Sequence, residues 1–284
     1  MSHTCTIGSI SVGTAAPLAL IAGPCVLEDG DTNQLVAATL RNTCADLGLS
    51  YIFKASFDKA NRSSIHSARG PGLDAGLAEL KRIKDEVGVP VTTDVHEPSQ
   101  AAQAAEIVDL LQVPAFLCRQ TDLLKACAET GRPVNVKKGQ FMAPAEMRHV
   151  VTKLGEGGCT QIMLTERGTF FGYHRLVTDF IGLGDLMELG PPVCFDVTHS
   201  TQLPGGGDGV TAGRADRGPL LARAAVAAGV AAIFMECHPN PSQAKSDAST
   251  VQPLAAMPEI LASLVAIRAA TDRAQSLSAA GAAD

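Results

Sequence analysis

The chain has 284 residues, 46% of them hydrophobic, a formal net charge of −6 and a pI near 5.6. That length and apolar share suffice for a large core, and the acidic balance excludes the broad positive field on which nucleic-acid or anionic-membrane binding rests. The eight cysteines are scattered, form no C-x-x-C pair and sit in a chain too large to need disulfide staples, so they read as reduced thiols of a cytoplasmic protein.

In chain order, residues 4–13 (TCTIGSISVG) alternate like a small β-hairpin, expected to close the bottom of the domain. Residues 15–27 are apolar enough to resemble a signal peptide, but no Lys or Arg precedes Arg41, and Pro17 and Pro24 interrupt the stretch. It reads instead as a buried strand, LALIAGPC (18–25), the first of eight short apolar runs that finish in polar or charged residues. The others are YIFKAS (51–56), VPVTTDVHE (89–97), IVDLLQVP (107–114), PVNVKKGQ (133–140), QIMLTER (161–167), PVCFDVTHS (192–200) and AAIFMECHP (231–239). Near-continuous apolar runs without strict alternation are the mark of strands buried on both faces of a parallel sheet.

Ala- and Leu-rich stretches with helical spacing lie between the runs, as at 33–47, 73–87, 98–106, 123–130 and 143–154. Eight such units match an α/β protein of the (β/α)8 TIM-barrel kind, typically about 250 residues, and the Gly-x-Gly-x-x-Gly turn of a doubly wound sheet is missing. We expect a single barrel domain over 1–284, with residues 271–284 small and polar enough to fray. The Gly-rich segment 204–218 follows the seventh strand, where it could act as a lid over the mouth. No apolar run approaches the roughly 20 residues that span a bilayer.

In such a barrel the functional groups stand at the C-terminal ends of the strands. Two chemistries gather there. Lys59, Arg62, Arg119, Lys137, Lys138 and Arg167 form a cation set drawn from four strands, enough to neutralise and orient more than one phosphate or carboxylate. Cys25, His199, Glu236 and Asp247 come from strands one, seven and eight and the loop beyond, which barrel closure sets side by side. A thiolate, an imidazole and two carboxylates suit a borderline divalent metal such as zinc, iron(II) or manganese. Taken alone, Cys25 has the pattern of a buried apolar thiol and His199 that of a hydrogen-bonded or substrate-binding histidine. Glu236, ending the run AAIFM, is costly to bury unless paired, ligated or used. His66, His149 and His174 lack charged neighbours at motif spacing and read as structural, and no G-x-S-x-G supports a serine nucleophile.

Long blocks of the chain resemble the 3-deoxy-D-manno-octulosonate 8-phosphate synthases. They are FKASFDKANRSSIHSARGPG (53–72), TDVHEPSQ (93–100), VPAFLCRQTDLL (113–124), NVKKGQF (135–141), DVTHSTQLPGG (196–206) and ECHPNPSQAKSD (236–247). The resemblance implies condensation of phosphoenolpyruvate with D-arabinose 5-phosphate, used for the inner core of lipopolysaccharide, by a cytoplasmic homotetramer. It implies that Lys59, Lys137, Gln140 and Arg167 bind the enolpyruvate, that Asn61, Arg62 and Ser63 bind arabinose 5-phosphate, and that Arg119 reaches a substrate phosphate near a subunit boundary. Lys54, Asp94, Lys138 and His199 complete the expected substrate-binding set. Cys25, where the metal-independent class carries Asn, implies the metal-dependent class. In the expected mechanism Lys59, Lys137 and His199 act on the reacting groups, Asp247 manages the proton and Asp196 orients its neighbours. The heptulosonate phosphate synthases, which use erythrose 4-phosphate, are the alternative; their KPRTS-like segment stands where this chain has KANRSS. Lysines on strands also leave a Schiff-base aldolase open, although strand six ends in Glu166 and Arg167 without the lysine such enzymes often place there, and a catalytically silent sugar-phosphate-binding barrel is the third reading.

Overall fold

The computed structural model of the chain describes residues 4–61, 64–206 and 212–281, with side chains as far as 277. The chain opens with β1 (Cys5–Ile7) and β2 (Ile10–Val12), then β3 (Ala19–Ala22), α1 (Thr32–Leu47), β4 (Ser50–Lys54), α2 (Leu73–Val87), β5 (Val91–Asp94) and α3 (Pro98–Ile107). Next come β6 (Leu110–Val113), α4 (Thr121–Glu129), β7 (Val134–Lys137), α5 (Met147–Glu156) and β8 (Ile162–Glu166). A short hairpin, β9 (Thr169–Phe170) and β10 (Leu176–Val177), leads to α6 (Phe180–Glu188), β11 (Val193–Asp196) and the single turn α7 (Val197–Ser200). The chain closes with β12 (Gln202–Leu203), β13 (Ala212–Gly213), α8 (Gly218–Ala228), β14 (Ala232–Phe234), β15 (Cys237–His238), β16 (Gln252–Pro253) and α9 (Met257–Gly281).

Eight parallel strands, β3, β4, β5, β6, β7, β8, β11 and β14, close into a barrel, β14 pairing back onto β3 through Phe234 and Ile21. Each coincides with one of the eight apolar runs, β4 starting one residue earlier at Ser50, because every strand residue of β5, β6, β7, β8, β11 and β14 is buried. The paired segments are shorter than the runs. Residues beyond the last barrel ladder pair, such as 23–25, 95–97, 138–140 and 235–236, lie at the mouth and carry much of the chemistry. Gly48 and Gly88 end α1 and α2 in the left-handed region, at φ 68° and 75°, where a Cβ would be strained.

The β1–β2 hairpin is antiparallel, and its Cys5, Ile7 and Val12 join Ala19, Leu110 and Ala231 at the N-terminal ends of the strands in one buried cluster. It therefore stoppers the bottom of the barrel and leaves the other end open. A larger apolar layer between strands and helices includes Phe53, Phe57, Leu80, Ile83, Leu164, Phe195 and Leu261. All eight cysteines are free and buried.

The tail differs from the sequence expectation: α9 runs on through Thr271 to Gly281, its alanines favouring helix and Arg268 pairing with Asp272 one turn on. The stretch Leu254–Leu277 is also long and apolar enough, by length and composition, to cross a membrane, contrary to the expectation that no run reaches that length. Its hydropathy comes largely from alanine, and α9 packs on α1 and α8 as the last helix of the barrel. The Gly-rich segment falls partly on 207–211, outside the described residues; its flanks pair as the β12–β13 hairpin.

Gly76 shows how tightly the helical layer seats on the barrel. A Cβ there would lie 2.3 Å from Cβ of Phe57. Alanine at an exposed helix position stabilises by about 1 kcal/mol over glycine. We expect the reverse for Gly76→Ala, a loss of about 1 to 3 kcal/mol in urea denaturation from overpacking against the barrel.

Candidate active site

The open end of the barrel holds a cavity of about 920 Å3 lined from the ends of β4 to β8 and the loops after β11 and β14. Adjacent strand residues point to opposite faces, which decides what reaches it. Lys137 points in; Lys138, one residue on, is buried outside the cavity lining, with its ammonium 3.4 Å from Glu166 and bonded to the carbonyls of Gly139 and Met142. Of the expected cation set, Lys59, Lys137 and Arg167 line the cavity, joined by Lys54. Arg119 does not: a turn at Ala115–Leu117 carries the chain outward, and Arg119 is exposed beyond it. Arg62 and Ser63 lie outside the described residues, while Asn61, Asp94, Gln140 and His199 line the cavity as expected.

Asp196 organises one wall. As the last residue of β11 it caps α7, its Oδ1 accepting from the His199 N–H at 2.9 Å. Its Oδ2 lies 2.6 Å from Nζ of Lys137 and 2.7 Å from Nδ1 of His199. Burial alone would raise its pKa, but His199 and Lys137 hold this carboxyl far below the usual range. Beneath them the Phe234 ring takes the Lys137 ammonium 3.7 Å from its centroid, with Lys54 at 5.4 Å and the His199 ring at 5.8 Å.

On the adjoining wall Lys54 donates to Glu236 Oε1 and to the Cys25 carbonyl, both at 2.8 Å. The second oxygen, Oε2 of Glu236, is fully buried with no hydrogen-bond partner among the described residues. Donor atoms of Cys25, Glu236 and Asp247 lie within 4.8 Å of one another, and Cys25 Sγ is 2.8 Å from Asp247 Oδ2. Burial, then Asp247 and Glu236, push the Cys25 thiol well above its usual range, so it is protonated as it stands. Asp247 is one of two described non-glycine residues with positive φ, 52°, a strained backbone of the kind that collects at functional sites. Three of the four expected ligands thus meet; His199 stands beside them, outside the 4.8 Å group and turned to Asp196.

Two orphaned groups mark the substrate side. Nη1 of Arg167 and Oε1 of Gln140 are buried with no partner among the described residues. Burial opposes the charge on Lys59, but the surrounding carboxylates of Glu236, Asp94 and Asp247 favour its ammonium and raise it above the usual lysine range. The Arg167 donor and the Lys59 ammonium, aimed into the cavity, stabilise an anionic ligand there, while Oε1 of Gln140 can accept from a hydroxyl or water.

Sequence reasoning gave no role to Gln112, Phe234, Gln202 and His96. Gln112 donates to Asp94 Oδ1 at 2.5 Å, while Ser56 donates to Oδ2 at 2.9 Å. A lone amide within the run LLQVP was the one mark of Gln112. Nothing in AAIFM distinguishes Phe234 from an ordinary core residue.

The acid limb of stability follows from these groups. Asp94 and Asp196 are held below the ordinary value of 3.8, so their contribution is complete above that pH and is lost as pH falls below it. Burial depresses His96 from 6.5, and its Nδ1 is buried with no partner among the described residues. The unfolded chain therefore takes up that proton first, and stability declines as pH drops through 6.5. We expect a melting temperature that sags below pH 6.5 and falls steeply below about 4. His96→Gln should remove the first decline alone.

A closed parallel barrel whose mouth faces buried cations and an acid–thiol cluster belongs with the enzymes that handle small anionic substrates at the C-terminal ends of barrel strands. Residues 3–271 match the model of the DAHP synthetase I family, and the chain belongs to that family. It is 55% identical to the 2-dehydro-3-deoxyphosphooctonate aldolase of a Cyanothece strain, over 92% of this chain and 96% of the relative. Proteins of the same name from Synechococcus, at 53% over 92% of each chain, and from Alkalilimnicola ehrlichii, at 54% over 89% and 92%, are similar to it as well.

Proposed function

We propose that this chain catalyses the condensation of phosphoenolpyruvate with D-arabinose 5-phosphate, giving 3-deoxy-D-manno-octulosonate 8-phosphate and inorganic phosphate. One observation carries the reading: Lys59, Lys137 and Arg167 converge on one cavity, with Arg167 Nη1 buried and without a partner among the described residues, in a chain about half identical to relatives named for that product. Carbon 3 of the enolpyruvate attacks the aldehyde carbon, positive charge develops at carbon 2, water adds there, and the bond from carbon 2 to the phosphate oxygen breaks. The protein's part is mainly to hold two anions together. Arg167, Lys59 and Lys137 offset their repulsion and fix the reacting carbons, a contribution of about 7 kcal/mol or more in favourable cases. Asp196 keeps Lys137 and His199 aimed at the cavity, and Asp94, fixed by Ser56 and Gln112, faces Lys59.

Cys25, Glu236 and Asp247, with His199 beside them, fit a divalent ion, namely zinc, iron(II) or manganese, because a buried carboxylate oxygen without a partner is satisfied by one. Such an ion supplies Lewis acidity for the aldehyde or for water. Asp247 remains the group we assign to the proton.

The acidic composition and reduced cysteines support a cytoplasmic enzyme. Phe116, Phe141, Phe170, Phe171 and Tyr173, largely exposed in the loops after β6, β7 and β8, support a homo-oligomer, here a tetramer, that covers them. Arg119, outside the cavity of its own chain, fits a role at such a boundary.

Phosphate release from phosphoenolpyruvate tests the reading. We expect arabinose 5-phosphate to be preferred to erythrose 4-phosphate by about tenfold or more in kcat/KM. Equal rates, or a preference for the four-carbon aldehyde, would replace the proposed substrate by the alternative. Release with neither would leave a binding barrel.

A further inference from the structure

The first residue after the turn that ends α7, Gln202, spans the two halves of the site. Its Oε1 accepts from Nη2 of Arg167 at 2.6 Å, and its Nε2 donates to Oδ1 of Asp247 at 3.2 Å. A guanidinium can only donate and an ionised carboxylate can only accept, so the side-chain amide has one permitted orientation. No charged residue could serve both neighbours: a carboxylate would repel Asp247, and an ammonium would repel Arg167. Gln202 belongs to β12 and pairs with Gly213 across the Gly-rich segment, so its backbone is held by the hairpin over the mouth and not by the barrel sheet. Nη2 of Arg167 also reaches the His199 carbonyl at 3.4 Å, while Nη1, buried with no partner among the described residues, can meet an anion. Asp247 Oδ1 is taken by Gln202 while Oδ2 faces Cys25 and Ser246.

We propose that Gln202 is a positioning residue that sets the guanidinium of Arg167 toward the anion and, through the same amide, sets the Asp247 carboxylate toward Cys25 and Glu236. This rests on the metal and enolpyruvate reading above and adds the residue that ties the two subsites together. Outer partners of metal ligands typically tune affinity by about ten- to a hundredfold. A tie to both subsites predicts that one substitution weakens both ligands together.

The test uses Gln202→Met, which keeps the length and removes both polar atoms, with Gln202→Ala as a second variant should the first fold poorly. Metal-free protein is titrated with phosphoenolpyruvate by calorimetry. Separately, cobalt(II) is titrated without substrate, following its thiolate charge-transfer band. We expect each dissociation constant to rise by about tenfold and the cobalt band to shift, with the circular dichroism spectrum unchanged. A change in only one constant, or in neither, overturns the role of Gln202 while leaving the site reading intact, provided the wild type binds both. A wild type that takes up no cobalt removes the metal reading, and the proposed tie falls with it. A wild type that binds cobalt but not phosphoenolpyruvate removes the anion reading in the same way.

Discussion

Replacing Lys137 by Met is expected to lower kcat/KM for phosphate release by about a thousandfold, comparable to loss of a principal transition-state donor. Lys137 holds an ammonium at the cavity floor, 2.6 Å from Asp196 and over the face of Phe234. Methionine fills the same space but leaves a fully buried carboxylate with His199 as its remaining close charge partner. Stranding one member of a buried pair typically costs about 3 to 5 kcal/mol, and His199 should keep the loss near the lower figure. Phosphate-release kinetics and urea denaturation read the two effects. Near-normal kinetics in a folded variant would place the anion-binding centre elsewhere.

The second large effect is expected on stripping divalent metal. Dialysis against a strong chelator should reduce activity by about a hundredfold or more, and zinc, iron(II) or manganese should restore it, since a catalytic ion typically supplies several kcal/mol of charge stabilisation. Cys25→Ala should retain less metal and should not be rescued at the same concentrations. An independent readout comes from the thiol. Burial and the neighbouring Asp247 and Glu236 keep Cys25 protonated in the metal-free protein, so metal uptake should release a proton into weakly buffered solution. Full activity after chelation, or uptake without proton release, would take Cys25 out of the ligand set.

The charge logic also explains why the site holds together without ligands. Buried carboxylates and ammoniums are each expensive to desolvate, yet here they alternate: Glu236 with Lys54, Asp196 with Lys137. The first pair leaves the second carboxylate oxygen of Glu236 over, and beside the second pair Nη1 of Arg167 is buried with no partner among the described residues. Those surpluses are what substrates and ions can use.

The barrel itself was legible in the sequence. Apolar runs such as VPVTTD and QIMLTE cannot alternate faces and must be covered on both, and parallel strands with intervening helices do that. The placing of Lys54, Lys59, Asp94, Lys137, Gln140, Arg167, His199 and Asp247 at the mouth comes from the same rule, since each ends a run or lies in the loop after it. What the sequence left undecided depends on direction and depth. Lys137 and Lys138 are neighbours with the same charge, and only the pleat separates the one that reaches the cavity from the one bound to Glu166. Arg119 looks like another anion-binding cation until the turn at Ala115–Leu117 carries it outward. The tie through Gln202 joins groups 35 and 45 residues away along the chain, a contact that no local pattern encodes. Composition and periodicity decide which faces must be buried, because burial is a sum over many residues. Which atoms meet is settled by a few torsions and close approaches, and these exist only once the barrel has closed.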